Sequence, residues 1–232
     1  MGSEARDTDT RRRVVNAAIG LLERAGRDAV TTRAVAVAAG LQPPAIYRLF
    51  GDKEGLLEAV AEHGFATFLA SKRVVPDPAD PIQDLRDSWD LAVRFGLENP
   101  ALYSLMYGDV ARSDSPAFRT GLEILRGRVR RLAAGGLLRV GEALAANVIH
   151  ATARGAVLTW LSMPESDRDP ALLATLREAM VTAITTEEPA VRSAGPAGAA
   201  RALRAGLPEQ TVLSGAEREL LREWLDRLAE EG

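Results

Sequence analysis

The stretch Thr31–Lys53, TTRAVAVAAGLQPPAIYRLFGDK, decides the fold. It reads as two short helices joined by a tight turn, then the start of a third. A hydroxyl at Thr31 or Thr32 can accept one of the N–H groups that a helix start leaves without a partner. Val35, Ala38 and Ala39 recur at helical spacing and give one small apolar face. Gly40 stands where that helix must stop, because glycine enters the left-handed conformation without strain. Leu41 returns the chain to the core. Pro43 and Pro44 mark a fresh helix start, where a missing backbone N–H costs nothing. Ile46, Leu49 and Phe50, at i, i+3 and i+4, face inward; Tyr47, Arg48 and the first turn face out. Helix, short turn with Gly, helix is the helix-turn-helix arrangement, which lays its second helix in a DNA major groove.

The flanks fit. Over Arg11–Gly26, Val14, Ala18, Leu21, Leu22 and Ala25 form a helical stripe that Gly26 ends. Arg11, Arg12 and Arg13 crowd its start, against the helix dipole, as a solvated cluster or as phosphate contacts. Residues 1–10 carry no apolar anchor and are expected to be unstructured. Asp52 can cap a further helix that buries Leu56, Leu57, Val60 and Ala61 and runs to about Arg73. The proline-rich VVPDPADP at Val74–Pro81 must be a loop. Helical patterns then follow at about 82–98, 100–107, 115–134, 141–163 and 168–187. Pro100 and Pro116 are placed as first helical residues, Gly135-Gly136 breaks the chain, and Asp169-Pro170 starts the last of these helices. Glu187–Gly206 is rich in Ala, Gly and Pro and reads as a linker, helical at Ala199–Ala205 at most. Ser214 with Glu217 is a capping-box pair opening a final helix over about 215–230. That helix gathers Leu220, Leu221, Trp224, Leu225 and Leu228 on one side. Such a face cannot stay in water, so it is expected to pack on the body or on a partner subunit.

The run TTRAVAVAAGLQPPAIYRLFGDKEGLLEAV resembles the N-terminal domain of the TetR family of bacterial transcriptional regulators. The likeness extends back through the preceding helix and covers roughly the first quarter of the chain. Leu49 departs from it, standing where the family often has His, so a phosphate contact from that side chain is not expected. The block WDLAVRFGLENPALYSLMYGD, Trp89–Asp109, resembles the effector domain of one TetR subgroup. The resemblance implies an all-α fold: a helix-turn-helix domain over 1–53, a helical ligand-binding and dimerisation domain over 54–187, and a linker with a C-terminal helix over 188–232. It implies a cytoplasmic homodimer on a double-stranded DNA operator, with a small-molecule effector. Thr32, Arg33, Pro43, Pro44, Ala45, Tyr47, Arg48 and Lys53 occupy the family's DNA-facing positions. The Tyr47 hydroxyl and the Lys53 ammonium suit phosphate oxygens. Arg48 suits guanine O6/N7 or a phosphate, and Pro44 and Ala45 suit a thymine methyl.

In the family two body helices of each subunit build the dimer interface. Here these are 141–163, with the small residues Ala145, Val148, Thr152, Gly155 and Thr159, and 168–187, with Leu172, Leu176, Met180 and Ile184. The effector enters the body. The expected lining comes from Trp89, Phe95, Tyr103, Met106 and Tyr107, then Phe118 and Leu122, then His150, Arg154 and Trp160. Arg154 lies mid-helix in an apolar stretch, where a charge is costly unless paired, with Asp90 or with a ligand anion. The effector is therefore expected to be largely hydrophobic, aromatic or acyl, with one acceptor or acidic group.

Composition agrees. The 232 residues are 47% hydrophobic and 26% charged, an ordinary globular balance, rich in Ala and Leu. The net charge of −3 is unevenly spread. Residues 1–53 hold nine Lys and Arg against six Asp and Glu, a net +3 that leaves −6 on the remainder. The absence of Cys removes disulfides, thiolate nucleophiles and Cys-based zinc sites. MGSEARDTDTRRR is no signal peptide, and His150 and Arg154 break the apolar region Val148–Met163, so no membrane span is expected. Catalytic, metal and cofactor patterns fail in turn. His63 and His150 have no partner ligand at i+4, no Gly-Lys-Ser/Thr follows Gly135, Gly136 or Gly141, and Glu187-Glu188 is a solvated pair. The rival is a helical ligand- or partner-binding protein without specific DNA recognition; the intact turn glycine, Tyr47 and Lys53 argue against it.

Overall fold

The computed structural model describes residues 2–71, 79–107, 115–186 and 195–230. Pro76 and Pro78 of the expected loop, Gly108 and Asp109, and residues 187–194 of the expected linker lie outside them. The described residues form eleven α-helices and no strand: α1 (Gly2–Ala29), α2 (Thr32–Ala38), α3 (Pro43–Phe50), α4 (Lys53–Ser71), α5 (Pro81–Glu98), α6 (Pro100–Tyr107), α7 (Pro116–Ala134), α8 (Glu142–Ser162), α9 (Ala171–Ile184), α10 (Gly195–Gly206) and α11 (Gly215–Glu230). The fold is all-α, and helix starts fall at the punctuation of the sequence. Ser115 Oγ accepts from Phe118 N–H at 3.0 Å, and Asp169 Oδ1 from Ala171 N–H at 2.8 Å.

Two expectations need correction. The N-terminal residues are helical from Gly2 rather than unstructured. Asp7 and Asp9 stand toward the positive end of the helix dipole, and Arg12 pairs with Asp9 one turn back at 2.6 Å. Gly26, with φ 74° and ψ −177°, does break α1 where expected. The stretch 195–206 is helical throughout rather than only over Ala199–Ala205, because a second helix covers it, as described below.

The chain divides into two compact units. The first holds residues 1–73 and 92–121. In it α1 packs on α2, α4 and α6, and α3 packs on α2 and α4. Val14, Ala18, Leu22, Val30, Val35, Ile46, Leu56, Leu57 and Val60 form its core. Each large side chain among them contributes about 1.5–3 kcal/mol by leaving water. Ala38 is exposed and Ala36 takes its place beside Val35 and Ala39, because α2 wedges between α1 and α3 and buries i, i+1 and i+4. Gly64 brings α4 close to α6: a Cβ there would stand 2.7 Å from Met106 Sδ and 3.0 Å from Leu102 Cδ1.

The second unit holds residues 74–91 and 122–232. Within it α8 packs on α9. Gly136, at φ 68°, ends α7, and Leu137 N–H closes onto Leu132 O at 2.8 Å. The next residues bind the end of α9, through Arg139 N–H to Ile184 O at 3.0 Å and Thr186 N–H to Leu137 O at 2.9 Å. Trp89 is 2% exposed, and its indole N–H donates to Thr152 Oγ1 at 3.4 Å. Arg128, 4% exposed, meets Asp84 at 3.0 Å, with Arg131 at 3.4 Å from the same oxygen. Asp90, an expected partner of Arg154, accepts from Arg177 at 2.6 Å. Arg86 and Arg177 converge on Glu178, and the two guanidinium hydrogen bonds, Arg86 first, hold its carboxyl below the usual range. Of the residues expected at a dimer interface, Ala145, Met180 and Ile184 are instead buried within the protomer.

Helices α10 and α11 pair around Ala200, Leu207 and Leu225, flanked by Leu213, Leu221 and Ala229. Ser214 N–H donates to Glu217 at 2.8 Å and Glu217 N–H donates to Ser214 Oγ at 3.3 Å, closing the capping box. Arg204 joins the pair to α8 through Glu142 at 3.1 Å and to α11 through Asp226. The expected single apolar face of α11 is covered only in part. Leu225 is buried, but Leu220, Trp224 and Leu228 remain about half exposed, because α10 offers one narrow stripe of alanines.

Candidate DNA-binding face

Thr31 caps α2, its Oγ1 accepting from Ala34 N–H at 3.1 Å. Gly40 at φ 67° ends the helix in a Schellman motif, with Gly40 N–H on Val37 O at 3.1 Å and Leu41 N–H on Ala36 O at 2.8 Å. Gln42 is extended, and Pro43 and Pro44 occupy the first turn of α3. Ile46 and Phe50 are buried beneath it, and Leu49 is half-buried. The chain leaves α3 through Gly51 at φ 82°, and Asp52 caps α4 by accepting from Gly55 N–H at 2.8 Å.

The outward face carries the expected side chains. Arg33, Pro44, Tyr47 and Arg48 are exposed, Tyr47 by 54%; Thr32, Pro43, Ala45 and Lys53 are half-exposed. The Thr32 and Tyr47 hydroxyls stand 3.3 Å apart and tie the start of α2 to the outer side of α3. Among the described residues, no carboxylate pairs with Arg33, Arg48 or Lys53, so three cations are presented without internal neutralisation. Lys53 lies in the first turn of α4, where the helix dipole opposes a cation and a bound phosphate relieves the conflict.

Two determinants were not legible as such in the sequence. Arg11 stands in the arginine cluster, yet its guanidinium donates to Leu49 O at 2.6 Å and lies 4.4 Å from the Phe50 ring centre. It clips α1 to the end of α3 while remaining exposed. Gly55 is the second. A Cβ there would stand 2.1 Å from Phe50 O, so only glycine lets α4 start against the last carbonyl of α3. The signal was a glycine in a first helical turn that already had its cap.

The expected effector residues divide between the units. In the first, Phe95, Tyr103 and Met106 are buried, and Tyr107 and Phe118 are half-buried. Tyr107 lies 4.5 Å from Tyr103 and 6.5 Å from Phe118, and Phe65 joins both Tyr107 and Phe118 edge-on at 5.4 and 5.3 Å. Phe95 packs on Phe68 at 5.0 Å. In the second, Trp89 is core, and Leu122, His150, Arg154 and Trp160 are half-buried. Among the described residues no group of His, Asp and Glu is arranged to hold a metal ion, and no helix is long and apolar enough to cross a membrane.

A capped helix, a glycine turn and a second helix with an outward cationic face define a helix-turn-helix DNA-binding protein with a helical body. Residues 14–60 match the family model for bacterial regulatory proteins of the tetR family. Those residues are thus a head of the kind found in TetR-family regulators, which are DNA-binding transcriptional regulators. The nucleoid occlusion factor SlmA of Alteromonas mediterranea is 26% identical over 156 residues, 61% of this chain and 78% of that protein. SmeT, the repressor of the Stenotrophomonas maltophilia multidrug efflux pump SmeDEF, shares the fold with a TM-score of 0.61 at 22% identity, over 77% of this chain and 93% of SmeT. The fatty acid degradation regulator FadR of Bacillus halodurans aligns at 0.61 and 18% identity, over 74% of this chain and 94% of FadR.

Proposed function

We propose that the chain is a ligand-responsive cytoplasmic repressor that binds a palindromic operator as a homodimer. The observation that carries this reading is the outward face of α3 and its neighbours, where Arg33, Arg48 and Lys53 are not neutralised from within. Residues 1–53 then read DNA. Tyr47 and Lys53 hold phosphates, Thr32 and Arg33 flank them, Arg48 reaches a base edge or a phosphate, and Pro43, Pro44 and Ala45 lie against the groove wall. Residues 54–187 receive the effector and dimerise, and 188–232 support the body. The dimer is supported by the exposed small residues Ala151, Gly155 and Thr159 on α8 and Ala174, Ala179 and Thr182 on α9, across which a second copy can approach closely. The effector is a largely hydrophobic molecule with one acidic or acceptor group, held among Phe95, Tyr103, Met106, Tyr107 and Phe118 of the first unit. It acts by binding one spacing of the two heads better than the other, typically by about 1–3 kcal/mol. SmeT is itself a repressor, in keeping with that sign of regulation.

The test is to sequence the DNA that the purified protein retains from its own genome. The reading expects one palindrome with half-sites about 34–36 Å apart, one helical turn. Retention of fragments without a common sequence would support the rival, a helical binding protein without specific DNA recognition.

A further inference from the structure

The first unit holds a groove of about 690 Å³, outside the effector residues named above, between α1, α4 and the start of α7. Its volume is within the range of sites for drug-sized molecules. Val15, Ala59, Ala61, Ala66 and Pro116 supply small apolar walls, and Glu58, Glu62 and His63 line it from α4. Glu62 carries the chemistry. Its Oε1 accepts from Ala117 N–H at 3.1 Å and so caps the start of α7. Its Oε2 is buried, and among the described residues it has no hydrogen-bond partner. A buried carboxylate oxygen without a donor is costly, and a donor supplied from outside recovers that cost. The cations at the groove are already committed. Arg11 is held by Leu49 O and Phe50, and Arg12 pairs with Asp9.

We propose that this groove is a second small-molecule site, selective for a protonated amine on an apolar body, with the amine donating to Glu62 Oε2 and Glu58 beside it. The site also has a route to the DNA face. Arg11 lines the groove and holds the end of α3, so an occupant that moves Arg11 alters the seat of the reading helix. That regulatory consequence rests on the chain being a DNA-binding regulator; the binding site itself does not.

The test therefore reads binding alone, on the full chain without DNA. The probe is 1-naphthylmethylamine, followed by its own fluorescence, with 1-naphthalenemethanol as the neutral isostere. The amine is expected to bind at least about tenfold more tightly than the alcohol, since a hydrogen bond to a charged group contributes about 1.5–3 kcal/mol. Glu62→Gln keeps an acceptor for Ala117 N–H and is expected to remove that preference. Ala59→Phe fills the groove with Glu62 intact and is expected to abolish binding of both probes, which covers the case in which Glu62→Gln unfolds. Equal binding of amine and alcohol, amine binding unchanged by Ala59→Phe, or no amine binding at millimolar concentration would each overturn the proposal.

Discussion

Gly55→Ala tests whether α3 is seated by one close backbone contact. The added Cβ would stand 2.1 Å from the carbonyl oxygen of Phe50, where contact distance is about 3 Å. The obstacle is backbone, so the end of α3 must retreat by about 1 Å rather than swing a side chain away. Overpacking of this kind costs about 1–3 kcal/mol, while replacing a helical Gly by Ala returns up to about 1 kcal/mol. An overlap with backbone belongs at the upper end of that cost, so the expected net loss is about 2 kcal/mol, a fall in melting temperature of roughly 4–8 °C for a chain of this length. Tyr47 and Arg48 lie on the same turn as Phe50, so the retreat also moves the groove-facing side chains. Loss of even one charged contact weakens DNA binding by about tenfold. Gly127→Ala is the control, because the nearest atoms to its Cβ are side-chain ends at 3.9 and 4.0 Å. It is expected to gain about 1 kcal/mol from helix propensity alone. Scanning calorimetry with fluorescence anisotropy on a labelled duplex at low salt reads both effects. A Gly55→Ala protein that melts at or above the wild type, as Gly127→Ala should, would refute the reasoning.

Arg11 and Lys53 are expected to separate by salt dependence. Lys53→Ala should lower the slope of log affinity against log salt by about 1, whereas Arg11→Leu should weaken binding and lower stability by about 1 kcal/mol with the slope unchanged. Equal slopes in the two variants would place both on phosphates or neither. Gly155→Arg is expected to split the dimer in sedimentation without loss of helicity, because its Cβ meets nothing within 4 Å in the protomer; an intact dimer would move the interface off this face of α8. Glu178 has a carboxyl held below its ordinary 4.5 by Arg86 first and Arg177 second, so its contribution is complete above about pH 4.5 and is lost as pH falls through the depressed value. The melting difference between wild type and Glu178→Gln should therefore shrink below pH 4. It should also be modest, since this carboxylate is 45% exposed.

The head was legible because its punctuation is local. A threonine cap, a left-handed glycine and two prolines in a first turn each fix the backbone within a few residues, and all three stand where the sequence places them. What escaped was non-local. Three consecutive arginines look alike in sequence, but only the fold brings the Leu49 carbonyl and the Phe50 ring to Arg11. Gly55 reads as a poor helix residue until α3 lies against it. The first turns of α1 carry no apolar anchor, and this segment holds its helix with acidic residues and an i, i+3 ion pair instead.

The body was less legible, for a different reason. An apolar stripe shows which side of a helix leaves water but not what covers it. On α8 and α9 the same periodicity that suggested an interface also builds the protomer core, so Ala145, Met180 and Ile184 turn inward while Gly155 and Thr159 stay out. On α11 one stripe is split: Leu225 finds the alanines of α10, and Trp224, one residue earlier and 100° around the helix, does not. Trp89 shows the same ambiguity at a single side chain. A tryptophan in an effector domain suggests a ligand wall, but its one donor is met by the Thr152 hydroxyl, which in turn donates to Val148 O at 2.8 Å. A polar group satisfied in this way has no need of a ligand. Glu62 is different: its Oε2 meets no donor among the described residues, and neither its residue type nor its place in the apolar pattern of α4 marks it out.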